Sequence, residues 1–138
     1  MHSATDIILG LYDAWHARDR QAWVDAFSPS ASWTNIPTGE TFTGPVGMAT
    51  NYQNWDGPFP EGRCENLTVH AGADLVVAEF IASGTHTGIL TTPDGPIPAT
   101  GRTLSVPFCD VHDVTNGAIT TTRRYWDQLA VLNQLGLL

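Results

Sequence analysis

Apolar residues near the start of the chain recur at helical spacing. Ile7, Ile8, Leu11 and Trp15 fall on one face, Ser3 or Thr5 is placed to cap it, and the pattern runs out near Ala17-Arg18-Asp19. A shorter helix is expected from Arg20 to Phe27, with Trp23, Val24 and Phe27 on one side and Ser28-Pro29-Ser30 as its stop. Ala31 to Ile36 reads as a short strand. Gly44-Pro45 then opens a third helical stretch through Met48, Tyr52 and Trp55, which Gly57-Pro58 breaks.

From Cys64 the pattern changes to strands. Cys64 to His70 and Leu75 to about Leu90 flank a turn at residues 71 to 74, and the stretch from Thr91 to Arg102 reads as a loop. Thr103 to Val114 returns as a strand and meets the next one across Thr115-Asn116-Gly117. A three-residue loop with Gly117 left-handed predicts pairs whose numbers sum to 232, so Asp110 faces Thr122 and reaches Arg124 diagonally. A two-residue Asn116-Gly117 turn instead puts Arg123 beside Asp110. His112 and Trp126 share the Asp110 face in the first register. Leu129, Leu132 and Leu135 complete the chain with a short amphipathic helix.

Helices followed by antiparallel strands predict one α+β domain over residues 1–138, a curved sheet wrapped around the N-terminal helices as a cone with one natural cavity. At this length the chain can bury roughly two-thirds of its unfolded surface without cross-links. Six arginines, no lysine and fourteen acidic residues give a net charge of -8, which argues against nucleic-acid binding. Cys64 and Cys109 read as free structural thiols, and His70, His86 and His112 show no metal-ligand spacing. No apolar run has transmembrane length, and no leader pattern opens the chain, so a cytoplasmic protein that leaves membranes alone is expected.

Several segments together resemble the SnoaL-like polyketide cyclases of the nuclear-transport-factor-2-like superfamily, which also includes ketosteroid isomerase and limonene epoxide hydrolase. They are Ser83-Gly-Thr-His-Thr-Gly88, Ile97-Pro-Ala-Thr-Gly-Arg102, the strand ending at Thr115-Asn116-Gly117, and Arg124-Tyr-Trp-Asp127 leading into Asn133-Gln-Leu-Gly136. The resemblance implies a cone-shaped fold, a deep hydrophobic pocket, no metal or organic cofactor, and acid-base chemistry on a polycyclic or polyketide-derived substrate. It implies a homodimer too. In the aldol-forming cyclases the position of Arg124 resembles an acid-base Asp and that of Asp110 a His, so this chain carries a different pair at both. Some relatives take part in hydroxylation. Trp33-Thr-Asn35-Ile-Pro37 is similar to the limonene epoxide hydrolase segment that holds the attacking water, with Asn35 matching its Asn, while Ala82 and Arg124 stand where acidic residues are expected.

The candidate chemistry follows from residue types. Asp110 is the candidate proton carrier and Arg124 the stabiliser of a developing oxyanion, or else Arg124 binds the substrate oxygen while Asp110 orients it. His112 and His86 are candidate assistants. Trp15, Trp33, Tyr52, Trp55, Phe108 and Trp126 form the expected aromatic wall for a flat ring system, with Asn35 holding a water or carbonyl. Cyclisation, isomerisation or dehydration is the reading these groups favour. Epoxide opening and simple ligand binding are the alternatives. Cys109, Val111, Ile119 and Tyr125 are expected on an apolar outer face suited to a dimer contact.

Overall fold

The computed structural model describes residues 3–138. Helix α1 (Ala4–His16) starts at Ser3, whose hydroxyl accepts the Asp6 backbone N–H while the Asp6 carboxylate accepts that of Ser3. It packs Ile8, Leu11, Tyr12 and Ala14 inward. Helix α2 (Arg20–Asp25) is capped by Asp19, and α3 (Gly44–Asp56) carries Pro45 in its first turn. No described helix is long and apolar enough to cross a membrane.

Strands β1 (Phe27–Asn35), β2 (Glu40–Thr43), β3 (Arg63–Ala71), β4 (Leu75–Thr85), β7 (Thr103–Thr115) and β8 (Ala118–Trp126) form one sheet in the order β2-β1-β8-β7-β4-β3. A separate hairpin joins β5 (Leu90–Thr92) to β6 (Gly95–Ile97), and α4 (Gln128–Gln134) ends the fold. The expected α+β architecture is present, although β1 and β8 run parallel within an otherwise antiparallel sheet.

Several boundaries differ from the sequence reading. Strand β1 begins at Phe27, whose ring lies 4.9 Å from that of Trp23, so the helix stops two residues earlier than expected. Pro29 is tolerated because the β1–β8 register breaks between Phe27 and Ser32, where no ladder N–H is needed. Strand β2 had too short an alternating pattern to stand out. Strand β4 ends at Thr85 rather than Leu90, since the His86 N–H turns to the Arg102 carbonyl and those of Thr87 and Gly88 to that of Pro58. The closeness there requires glycine: a Cβ on Gly88 would stand 2.0 Å from the Gly57 carbonyl oxygen. Val131 of α4 and Leu135, which follows the helix, face the core, while Leu129 is exposed.

The β7–β8 hairpin combines features of both registers. Asn116 and Gly117, with φ of 52° and 79°, make a two-residue turn between the paired residues Thr115 and Ala118. One extra residue then enters β8 as a bulge, since Val114 pairs with Ile119 but Asp113 with Thr121. The Thr120 hydroxyl fastens it by donating to the Asp113 carbonyl at 3.2 Å. Beyond the bulge Asp110 stands directly opposite Arg124, so neither the diagonal pairing nor the Arg123 alternative holds. The same bulge turns Ile119 inward, fully buried, and removes it from the outer face that Cys109, Val111 and Tyr125 share.

Candidate active site

Alternation along β7 and β8 carries Asp110, His112, Thr122 and Arg124 to the concave face beneath α1. Arg124 grips Asp110 bidentately, Nε to Oδ1 at 2.7 Å and Nη2 to Oδ2 at 2.8 Å. The Tyr12 hydroxyl, descending from α1, donates to the same Oδ2 at 2.6 Å. His112 Nε2 lies 2.9 Å from that hydroxyl and His112 Nδ1 lies 2.7 Å from the Thr122 hydroxyl. Tyr12 has one hydroxyl hydrogen to donate, and it points to Asp110 Oδ2. His112 therefore carries its proton on Nε2 and donates to Tyr12, while Nδ1 accepts from Thr122.

Electrostatics follow from this packing. Burial alone pushes the Asp110 carboxyl up, but the Arg124 charge and hydrogen bonds outweigh it and hold the carboxyl below its ordinary range. His112 is driven down to about 4 by burial, against the opposing pull of Asp110, so it is neutral at pH 7. Burial, reinforced by Asp110, keeps the Tyr12 phenol protonated. Arg124 remains cationic, since Asp110 offsets its burial.

Arg124 sits in an aromatic collar. Its guanidinium carbon lies 4.7 Å from the Trp33 ring centre, 5.2 Å from Trp55 and 5.4 Å from Phe108. With Nε and Nη2 committed to Asp110, Nη1 has no hydrogen-bond partner among the described residues. Arg124 lines an apolar cavity together with Tyr12, Trp15, Tyr52, Cys64 and Phe80. Asp110 does not line it and is fully buried. Burial lifts the Cys64 thiol to about 12, which leaves it unreactive at neutral pH.

A second cavity lies across a wall formed by Trp55, Phe59, Leu104 and Phe108, which line both. The expectation of one cavity is corrected accordingly: the aromatic residues divide the cone instead of leaving it open. Asn35, Thr38, Glu40, Asn54 and Trp126 face this second space, closed by Leu90 and Ile97 of the small hairpin and Val131 of α4. Each space is small, with room for a few waters.

The expected residues thus divide into groups. Asp110, Arg124 and His112 come together; Trp15 and Tyr52 line the first cavity, Trp55 and Phe108 both, Asn35 and Trp126 the second. Trp33 is not a wall residue: it is buried beneath Arg124, and its Nε1 donates to Asn35 Oδ1 at 2.9 Å. His86 lines neither cavity. Its Nδ1 accepts the Thr100 backbone N–H at 3.2 Å and its ring packs on Phe59 at 5.5 Å, so it anchors the loop behind the wall. Tyr12, Thr122 and Glu40 escaped the sequence reading. Tyr12 left one signal, a hydroxyl among the apolar face residues Ile8, Leu11 and Trp15.

The chain superposes on a candidate polyketide cyclase of Pseudomonas putida with a TM-score of 0.85 at 21% identity, covering 97% of this chain and 98% of that one. A ketosteroid-isomerase-like protein of Catenulispora acidiphila, solved with trimethylamine, gives 0.78 at 20%, covering 99% and 96%. A candidate hydroxylase of Streptomyces galilaeus gives 0.79 at 18%, covering 97% and 85%. At these identities the likeness shows the fold alone. Comparison with curated protein sequences gives no match. The sequence profile of the SnoaL-like domain, however, matches residues 8–122, and the chain belongs to the SnoaL-like family.

Proposed function

We propose that the protein is a cofactor-independent acid-base enzyme that cyclises, isomerises or dehydrates a hydrophobic, carbonyl-bearing substrate of polyketide type. The observation that carries this is the divided guanidinium of Arg124, with one edge locked by Asp110 and the other open to an aromatic cavity. A substrate carbonyl docks on the open edge, and charge developing on its oxygen is stabilised in a dry, preorganised setting.

Proton removal then runs through Tyr12. The hydroxyl oxygen takes the carbon-bound proton of the substrate while its own proton passes to Asp110 Oδ2, and the electron pair moves onto the substrate oxygen at Arg124. Asp110 starts as a poor base because Arg124 holds its pKa down. As Arg124 shares its charge with the forming oxyanion, that hold weakens and Asp110 becomes basic when the proton arrives. His112 orients Tyr12 through its Nε2–H, and Trp15, Tyr52, Trp55 and Phe108 align the rings.

Epoxide opening by Asn35 and Asp110 acting together loses support, because Asn35 faces the other cavity and spends its carbonyl on Trp33. The test is turnover of a poly-β-ketone or its cyclisation intermediate by the wild type and Arg124→Gln. We expect a loss of roughly 100-fold or more in kcat, the magnitude of removing one oxyanion donor. Saturable binding without product would assign the protein to ligand carriage instead. Labelled oxygen entering the product from water would point to hydrolysis. Cys64 and Cys109 are both free thiols, the state that a reducing cytoplasm maintains. Cys109, Val111 and Tyr125, joined by Val77 and Ile81, form an outer-face patch interrupted by Glu79 and Arg123, a surface offered for a homodimer contact that sedimentation would detect.

A further inference from the structure

The strand registers align more than the Asp110–Arg124 pair. Asp110 of β7 faces Arg124 of β8, Arg124 faces Asn35 of β1, and Asn35 faces Glu40 of β2. These four residues form one transverse row across the sheet, alternating anion, cation, amide and anion. Arg124 opens into the first cavity, whereas Asn35 and Glu40 line the second. Two strand spacings separate Arg124 from Glu40, roughly 10 Å.

Glu40 is the uncompensated member of the row. Its Oε1 accepts from the Thr38 hydroxyl at 2.8 Å and from Asn35 Nδ2 at 3.4 Å, and among the described residues it forms no ion pair. Oε2 has no hydrogen-bond donor there. A half-buried carboxylate facing an aromatic cavity is an acceptor for a hydrogen-bond donor on a ligand. Between the row's two ends stands Trp55. Its ring lines both spaces and packs edge-on against Phe108 and Trp126, and its buried indole N–H has no partner among the described residues, so turning the ring breaks no hydrogen bond.

We infer that the ligand lies along this row across both cavities, with a carbonyl oxygen on Arg124 and a hydroxyl donor on Glu40 two strands away, and that Trp55 swings aside to admit it. The substrate class narrows to fused-ring ketones hydroxylated at the far end. This rests on Arg124 as the carbonyl anchor of the proposed function, and it explains how a cone with two small spaces accommodates more than one ring.

The test uses two probes differing by one hydroxyl: 2-acetylnaphthalene and 6-hydroxy-2-acetylnaphthalene. Their dissociation constants are measured by calorimetry on the wild-type protein, Glu40→Ala and Arg124→Gln. We expect the hydroxylated probe to bind the wild type at least tenfold more tightly, Glu40→Ala to erase that preference, and Arg124→Gln to weaken both probes. In nitrogen-resolved spectra the Trp55 indole N–H, assigned through Trp55→Phe, should shift on binding. Equal affinities in the wild type, a preference that survives Glu40→Ala, or no saturable binding of either probe overturns the inference. A preference that survives while Arg124→Gln still weakens both probes leaves the proposed function standing. Arg124→Gln without effect on either probe overturns both.

Discussion

The two ends of the polar row are built to opposite standards. At the Asp110 end every group is satisfied: two Arg124 donors, the Tyr12 hydroxyl, His112 and Thr122 close a network that is almost wholly buried. At the Glu40 end the carboxylate is half-exposed, one oxygen lacks a donor and no cation answers its charge among the described residues. A closed network fixes geometry, while an open one leaves valence for a ligand. Arg124 belongs to both, and that is why it is the natural place for chemistry.

The contrast is broken most severely at Asp110. Asp110→Asn leaves the Arg124 cation buried without a counter-charge, and urea unfolding should register a loss of about 3–5 kcal/mol. Turnover should vanish while ligand affinity stays within about tenfold, since the open edge of Arg124 persists. Unchanged turnover in a folded variant would remove Asp110 from the proton path.

Acid probes the same end with a smaller effect. His112 ordinarily titrates near 6.5 and is lowered to about 4 in the folded protein. The unfolded chain therefore binds a proton first as pH falls, and stability declines from about pH 6.5 down to about pH 4. By pH 5 the loss should reach about 2 kcal/mol. Asp110, lowered from 3.8, adds its own loss only below that value. Comparing urea midpoints at pH 7 and pH 5 in the wild type and His112→Gln checks this, because the variant should lose most of the pH 5 deficit.

Thr122→Val keeps the shape of the site but removes the donor to His112 Nδ1. A cost of about 1 kcal/mol is expected. If Thr122 also fixes the tautomer, kcat should fall in this variant while KM stays constant.

Legibility in the sequence follows the same division. The Asp110 end lies on one hairpin, where alternation and Asn116-Gly117 show local geometry directly. The two-residue turn and the bulge at Thr120 each shift the register by one from the favoured three-residue loop, and the bulge's extra residue leaves no mark in composition. Tyr12 joins Asp110 across 98 positions, a contact that periodicity cannot reveal. The second cavity was harder still, being assembled from β1, β2, α3, the β5–β6 hairpin and α4. His86 is expected to assist at the pocket because it stands in the Gly-Thr-His-Thr-Gly run, where the resembled family often carries a histidine. The structure uses it to anchor a loop, and its burial pushes its pKa down.

Removing Glu40 is the mildest test and the one that isolates ligand binding from folding. A half-exposed carboxylate without an ion pair contributes little to stability, so Glu40→Ala should keep its urea midpoint within about 0.5 kcal/mol of the wild type. The Thr38 hydroxyl loses one acceptor but can turn to solvent, and Asn35 retains Trp33. Stability that falls as far as in the Asp110 variant would mean both ends of the row are structural, and the asymmetry between them would disappear. Stability that holds, together with a lost preference for the hydroxylated probe, would mean the sheet carries a rigid anchor at one end and a selective one at the other.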